Sequence, residues 1–85
     1  MKIKIKAHIK EKQVKSVQID TDFIRLDAFL KLCDCVQSGG HAKAVVQNGE
    51  VRVNGEVCLQ RGKKLRAGDT AEYNNMVCTV KKNGN

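Results

Sequence analysis

The feature that leaves this chain the fewest folds is a double change of hydrophobic period. Leu26, Phe29, Leu30 and Cys33 recur at helical spacing, with Leu32 and Val36 widening the stripe, and the same i, i+3, i+4 spacing returns at Ala42, Val45 and Val46. On both sides the period falls to two. Before the helical stretch, Ile3, Ile5, Ala7 and Ile9 alternate with Lys4, Lys6 and His8, and Val17 and Ile19 alternate more weakly; after it, Val51 and Val53 point one way and Arg52 the other. Two short helices between strands, with no repeat, linker or low-complexity tract, predict a single α+β domain.

Local punctuation divides the elements. The first helix is expected over 25–36, with Asp22 or Asp27 near its positive end. Ser38-Gly39-Gly40 breaks it, and Ser38 is a suitable N-cap for the second helix, which Asn48-Gly49 closes through a left-handed residue. Asn54-Gly55 is a hairpin turn whose returning strand is expected over 56–59. A polar loop over 60–64 leads to Leu65, a turn over 67–69, and strands near 70–73 and 76–80 joined at Asn74-Asn75. The expected architecture is a two-helix hairpin packed on a small, mostly antiparallel sheet, with an added N-terminal β-hairpin that pairs 3–9 with 14–19. As domains, this gives an extension over 1–15, the domain proper over 16–80 and a tail over 81–85.

Eighty-five residues bury about two-thirds or less of their unfolded surface, too little for a deep enzymatic cleft. The 16 Lys and Arg against 9 Asp and Glu give a net +7, which favours polyanionic partners. The charge is uneven: six Lys against one Glu in residues 1–15, three basic against five acidic in 16–51, and five basic against one acidic in 52–66. No apolar run nears the roughly 20 residues needed to span a bilayer, and the lysine-studded start lacks the apolar core of a secretory signal, so a cytoplasmic protein is expected. Cys33 and Cys35 form a C-x-C, while Cys58 and Cys78 have no close companion in sequence. This is not the spacing of a zinc site, and no metal or other cofactor is expected. In a reducing compartment the thiols read as small hydrophobes, Cys33 on the core face of its helix and Cys35 on a different face.

Four stretches in order carry a resemblance: Phe-Ile-Arg-Leu-Asp-Ala-Phe-Leu from Phe23, Ser-Gly-Gly-His-Ala-Lys from Ser38, Asn-Gly-Glu-Val-Arg-Val-Asn-Gly from Asn48, and Arg-Gly-Lys-Lys-Leu-Arg-Ala-Gly-Asp from Arg61. The order, over residues 23–73, resembles the small RNA-binding domain first defined in ribosomal protein S-four. Within that superfamily the chain is similar to short stand-alone bacterial proteins implicated in ribosome assembly. Residues 1–15 fall outside the motif order. The resemblance implies that two helices pack on a small sheet and that RNA lies across the helical hairpin and an adjacent strand and loop. It carries Arg25 and Asp27 onto the Arg-Leu-Asp motif, Ser38 onto the N-cap, Lys43 onto a basic helical position, and Gly49, Val51, Val53, Asn54 and Gly55 onto scaffold. It departs at Gly39, where the family commonly has arginine.

The expected RNA-binding residues are Arg25, Ser38, Gly39, Gly40, His41, Lys43, Arg52, Arg61, Lys63 and Lys64. At Gly39 and Gly40 two readings stand side by side: a sharp turn between helices, or bare amides at the positive end of a helix that take a phosphate in place of the missing arginine. His41 reads as a solvated residue or as a contact to phosphate or base, and Arg25 as a partner of Asp22 or Asp27 or of RNA. The block Arg52, Arg61, Lys63, Lys64 and Arg66 repels itself unless an anion compensates. With Phe23 and Phe29 assigned to core faces, no stacking platform is expected, so recognition should be of phosphate and shape in a folded RNA.

The leading reading is therefore a binder of ribosomal RNA or a ribosome precursor, with contact to a ribosomal protein as a further partner. The alternative is a protein-interaction adaptor of the translation machinery that uses the edge strand over 3–9. No catalytic set, small-molecule substrate or membrane role is expected; the basic residues fall on strands and a loop instead of one amphipathic helix.

Overall fold

A computed structural model of the chain describes residues 12–82. Strand β1 (Gln13–Ile19) is followed by β2 (Ile24–Arg25), α1 (Leu26–Leu32), α2 (Gly39–Gln47), β3 (Arg52–Val53), β4 (Glu56–Val57), β5 (Lys64–Leu65), β6 (Thr70–Tyr73) and β7 (Met76–Lys82). Five strands form a mixed sheet in the order β1-β7-β6-β3-β4, and β2 and β5 form a separate two-stranded ladder. The fold is α+β, with every described pairing antiparallel except β1 with β7.

One core joins these layers. Leu26, Phe29, Leu30 and Cys33 reach it from α1 and its cap, Ala42, Val45 and Val46 from α2, Val51 and Val53 from β3 and the residue before it, and Leu65, Ala71, Cys78 and Val80 from the later strands. Each fully buried Leu or Phe contributes roughly 1.5–3 kcal/mol. No polar or charged side chain is buried among the described residues, so the cations lie on the surface.

The turns follow their chemistry. Asn54 and Gly55 take positive φ between β3 and β4, as do Asn74 and Asn75 between β6 and β7. Asn54 does more than turn. Its amide group accepts from Thr70 N at 3.0 Å and donates to Asp69 Oδ1 at 3.2 Å, linking the first hairpin to β6. Asp69 Oδ2 accepts from Arg66 N at 2.8 Å, and this backbone bond, followed by the one from Asn54, holds its carboxyl below the usual range despite partial desolvation.

Two expectations need correction, and a third falls partly outside what the structure describes. The first arm of the N-terminal hairpin, 3–9, lies outside the described residues; the second arm is β1, whose described partner is β7, in parallel from Gln13↔Met76 to Ile19↔Lys82. That pairing carries β7 to Lys82, past the expected end at Val80, and Lys82 Nζ reaches Asp22 at 2.9 Å. The returning strand of the first hairpin is only Glu56–Val57.

Helix α1 is shorter than its hydrophobic stripe and ends at Leu32 instead of 36. Asp34 adopts φ 62°, its amide donates to Lys31 O at 3.0 Å, and that of Cys35 donates to Leu30 O at 2.9 Å. This double bond pattern is the Schellman closure. The turn still delivers Val36 to the core, whereas Leu32 is left 50% exposed. Helix α2 closes the same way, with Gly49 at φ 76° and bonds from Gly49 N to Val46 O and Glu50 N to Val45 O.

The two closures differ only in the left-handed residue, and they predict opposite substitutions. An aspartate in that conformation is strained, and its carboxylate faces the negative end of α1. Asp34→Gly is expected to stabilise the fold by about 0.5–1 kcal/mol, several degrees in thermal midpoint. Gly49→Ala should cost about 1 kcal/mol through its φ, because an added Cβ meets Leu59 and Val57 only at an ordinary 3.8 Å. Thermal denaturation by circular dichroism reads both signs, and a midpoint lowered by Asp34→Gly would contradict the assignment.

Candidate nucleic-acid interface

The start of α1 organises the basic surface. A helix leaves its first amides without internal partners; here Leu26 N donates to Lys63 O at 2.8 Å and Asp27 N to Arg61 O at 2.9 Å. Immediately before them, Ile24 pairs with Leu65 and Arg25 with Lys64. Antiparallel partners share a face, so Ile24 and Leu65 turn inward, and Arg25 and Lys64 turn out to solvent. Residues 61, 63, 64 and 25 are thus gathered by backbone bonds, which leaves their side chains available. The Arg25 guanidinium lies across Gly62, where a Cβ would sit 3.5 Å from Nη2, and its Nη2 pairs with Asp27 Oδ2 at 3.1 Å. Of Arg25, Arg61, Lys63, Lys64 and Arg66, Arg25 alone has a carboxylate within ion-pair distance among the described residues.

Beside this loop lies a cleft of about 180 Å³ lined by Arg25, Asp27, Ala28, Lys31 and Gly39. One wall is the start of α2. Ser38 is the N-cap, its Oγ accepting from His41 N at 3.0 Å. The amides of Gly39 and Gly40 make no hydrogen bond among the described residues. A Cβ on Gly39 would meet nothing within 4 Å, and one on Gly40 only Ser38 Oγ at 3.9 Å. Neither glycine has a positive φ. Nothing within the described protein requires glycine at either position, and the two amides are exposed at the positive end of a helix.

The other expected residues are spread around this centre. His41 is engaged internally: Nδ1 accepts a long bond from Gln37 N at 3.4 Å, and the ring stands edge-on to Tyr73 with centroids 6.3 Å apart. Lys43 is exposed on α2 without an ion pair among the described residues. Arg52 lies on the sheet face opposite buried Val51 and Val53, in register with Glu72, and is not brought to the cleft. Lys63 also borders a groove of about 360 Å³ of mixed lining, in which Val57 and Leu59 are 52% and 61% exposed beside Glu56 and Gln60.

Two residues missing from the expected set join the site. Lys31 lines the cleft from α1; its signal was its place on the exposed face, four residues after Asp27. Phe23, assigned to the core by sequence, is 37% exposed, with Lys64 Nζ 4.8 Å from its ring centroid and Arg66 Cζ at 5.9 Å. It precedes the helical stripe and so escapes the period that buries Leu26 and Phe29. The basic face therefore does carry one aromatic ring, held by cation–π contacts.

A short helix pair whose first helix is stapled to a basic loop, attached to a small mixed sheet, defines the class. Residues 17–81 match the family model of the S4 domain, most of the chain, and the protein belongs to that family. It is also similar to a Bacillus subtilis (strain 168) protein named "Probable ribosome maturation protein RlbA": the two are 50% identical over 56 residues, 66% of this chain and 79% of that one.

If the glycines opening α2 serve a ligand and not the fold, replacing one should help the free protein. Gly39→Ala is expected to raise stability by up to about 1 kcal/mol. Urea denaturation measures this, and a loss of stability would restore a structural role for Gly39.

Proposed function

We propose that this protein is a non-enzymatic binder of structured RNA of the ribosome or its precursors, gripping phosphates at the Arg25–Lys31–Gly39 cleft and along the loop over 61–64. The observation that carries the reading is the convergence of two cations, Arg25 and Lys31, and the bare helix-start amide of Gly39 on one cleft, where Asp27 pairs with Arg25 and leaves Lys31 unpaired among the described residues, beside a loop whose cations lack carboxylate partners among the described residues. Amides at a helix start bind phosphate without a side chain, which offsets the absence of the arginine that the family resemblance leads one to expect at Gly39. Membership of the S4 domain family and the ribosome-maturation name of the relative support the same reading.

In this reading Arg25, Lys31, Arg61, Lys63 and Lys64 touch phosphates, Ser38 orients the amides of Gly39 and Gly40, and Lys43, His41 and Arg52 act at the margins or through the long-range field. Phosphate and 2′-hydroxyl contacts read shape, and the single ring of Phe23 is too little for a run of stacked bases.

Five neutralised phosphates give an expected slope of log K against log salt of about −3.5 to −4.5, at 0.7–0.9 per contact. A gel-shift or anisotropy titration against ribosomal RNA fragments at several salts reads it. Lys63→Glu with Lys64→Glu should weaken binding and flatten the slope by about 2, while stability falls by no more than the roughly 0.5–1 kcal/mol of the Lys64–Phe23 contact. No binding at low salt, or an unfolded double variant, would overturn the reading.

A further inference from the structure

Three thiols that look unrelated in sequence meet where α1 ends against the sheet. Cys35 Sγ stands 3.8 Å from Cys78 Sγ, and Cys33, fully buried, adjoins both. Lys15 is the register partner of Cys78 across the parallel β1–β7 pair, and its Nζ donates to Cys33 O at 3.0 Å, which holds the ammonium beside the cluster. Cys35 is half-buried, whereas Cys78 is fully shielded. We propose that Cys35 and Cys78 are a peroxide-sensitive pair, with Cys35 the attacking thiol and Cys78 the thiol that closes a reversible intramolecular disulfide.

The roles follow from the surroundings. The thiolate is the reactive form. The neighbouring Cys33 thiol is the largest influence on Cys35, and with the contact to Cys78 and the Lys15 charge it draws the Cys35 thiol down to about 6, against the opposing effects of burial and Asp34. Burial pushes the Cys78 thiol the other way. A low-lying, solvent-reachable thiol beside a second one is the arrangement that oxidises to a disulfide instead of to higher acids. The sulfurs need to close from 3.8 Å to about 2.05 Å. Cys58 donates to Gln60 O at 3.6 Å and has no thiol neighbour among the described residues, so it can be replaced without touching the cluster.

The chemistry balances with hydrogen peroxide as the oxidant. The Cys35 thiolate attacks one peroxide oxygen, the O–O bond breaks, and hydroxide leaves, taking up a proton to become water; Cys35 becomes a sulfenic acid. The Cys78 sulfur, giving up its proton, then attacks Cys35 Sγ. The S–S bond forms as the S–O bond breaks, and the oxygen departs as a second water. Two thiols lose two electrons and one peroxide gains them. The bond would tie the turn after α1, from which the chain runs to the Ser38 cap of α2, to the centre of β7.

The test treats the full chain, with Cys58→Ser to prevent linkage between molecules, with equimolar hydrogen peroxide, then alkylates and maps the peptides by mass. The expected product is a monomer two hydrogens lighter, with a Cys35–Cys78 linked peptide, Cys33 still alkylatable after unfolding, a raised thermal midpoint, and full reversal by a dithiol. Cys78→Ser should leave a sulfenic acid on Cys35 that a dimedone probe captures, and Lys15→Met should slow the reaction several-fold. A Cys33–Cys35 link, an unreacted Cys35, or oxidation that adds oxygen without joining the two would overturn the proposal. The mapping of the Cys58→Ser chain decides the matter even if the Cys78 variant does not fold.

Discussion

The arrangement of this protein turns on two backbone hydrogen bonds, from Leu26 N to Lys63 O and from Asp27 N to Arg61 O. Helix α1 is short and has no side-chain cap at Arg25, so its orphan amides need partners from elsewhere. The loop that supplies them is the most cationic stretch of the described chain. One pair of bonds therefore completes the helix and positions the charges, while Leu65, fully buried next to Lys64, anchors the loop from beneath. A basic loop placed by its carbonyls can exchange its side chains at little cost to the fold.

Much of this was legible in the residues because the signals are local. Ser38 as an N-cap, Gly49 as a left-handed stop, and the turns at Asn54-Gly55 and Asn74-Asn75 each depend on a few consecutive residues, and each is present. The end of α1 was not legible, because Asp34 does the work usually given to glycine while the apolar stripe runs on to Val36. The partner of β1 was hidden for a different reason. A parallel pair joins distant segments without a turn between them, so nothing near Val17 or Ile19 announces β7.

The site divides along the same line. Arg25, Ser38, Gly39, Gly40, Arg61, Lys63 and Lys64 were named from motif and charge, but the gathering of Arg25, Arg61, Lys63 and Lys64 comes from the β2–β5 ladder and the bonds at the start of α1, and Gly39 reaches the cleft from the start of α2. Lys31 enters the cleft only through the packing of the helices. Phe23 was misassigned because an aromatic near an apolar stripe looks like core, and only the positions of Lys64 and Arg66 reveal a ring at the surface. The thiols of Cys35 and Cys78 are separated by most of the domain in sequence and by one van der Waals contact in space.

The parallel pairing of β1 with β7 also sets an order of events. Most other contacts join neighbouring segments: α1 with α2, β3 with β4, β6 with β7. These close small loops and form early, whereas a pairing between the two ends of the domain waits on the slowest loop closure. A chain emerging from its N-terminus can assemble the helices and their basic loop while β1 is still unpaired. The sheet is sealed only when its last strand is free to dock, so the β1–β7 ladder is the last part of the described sheet whose residues are all made.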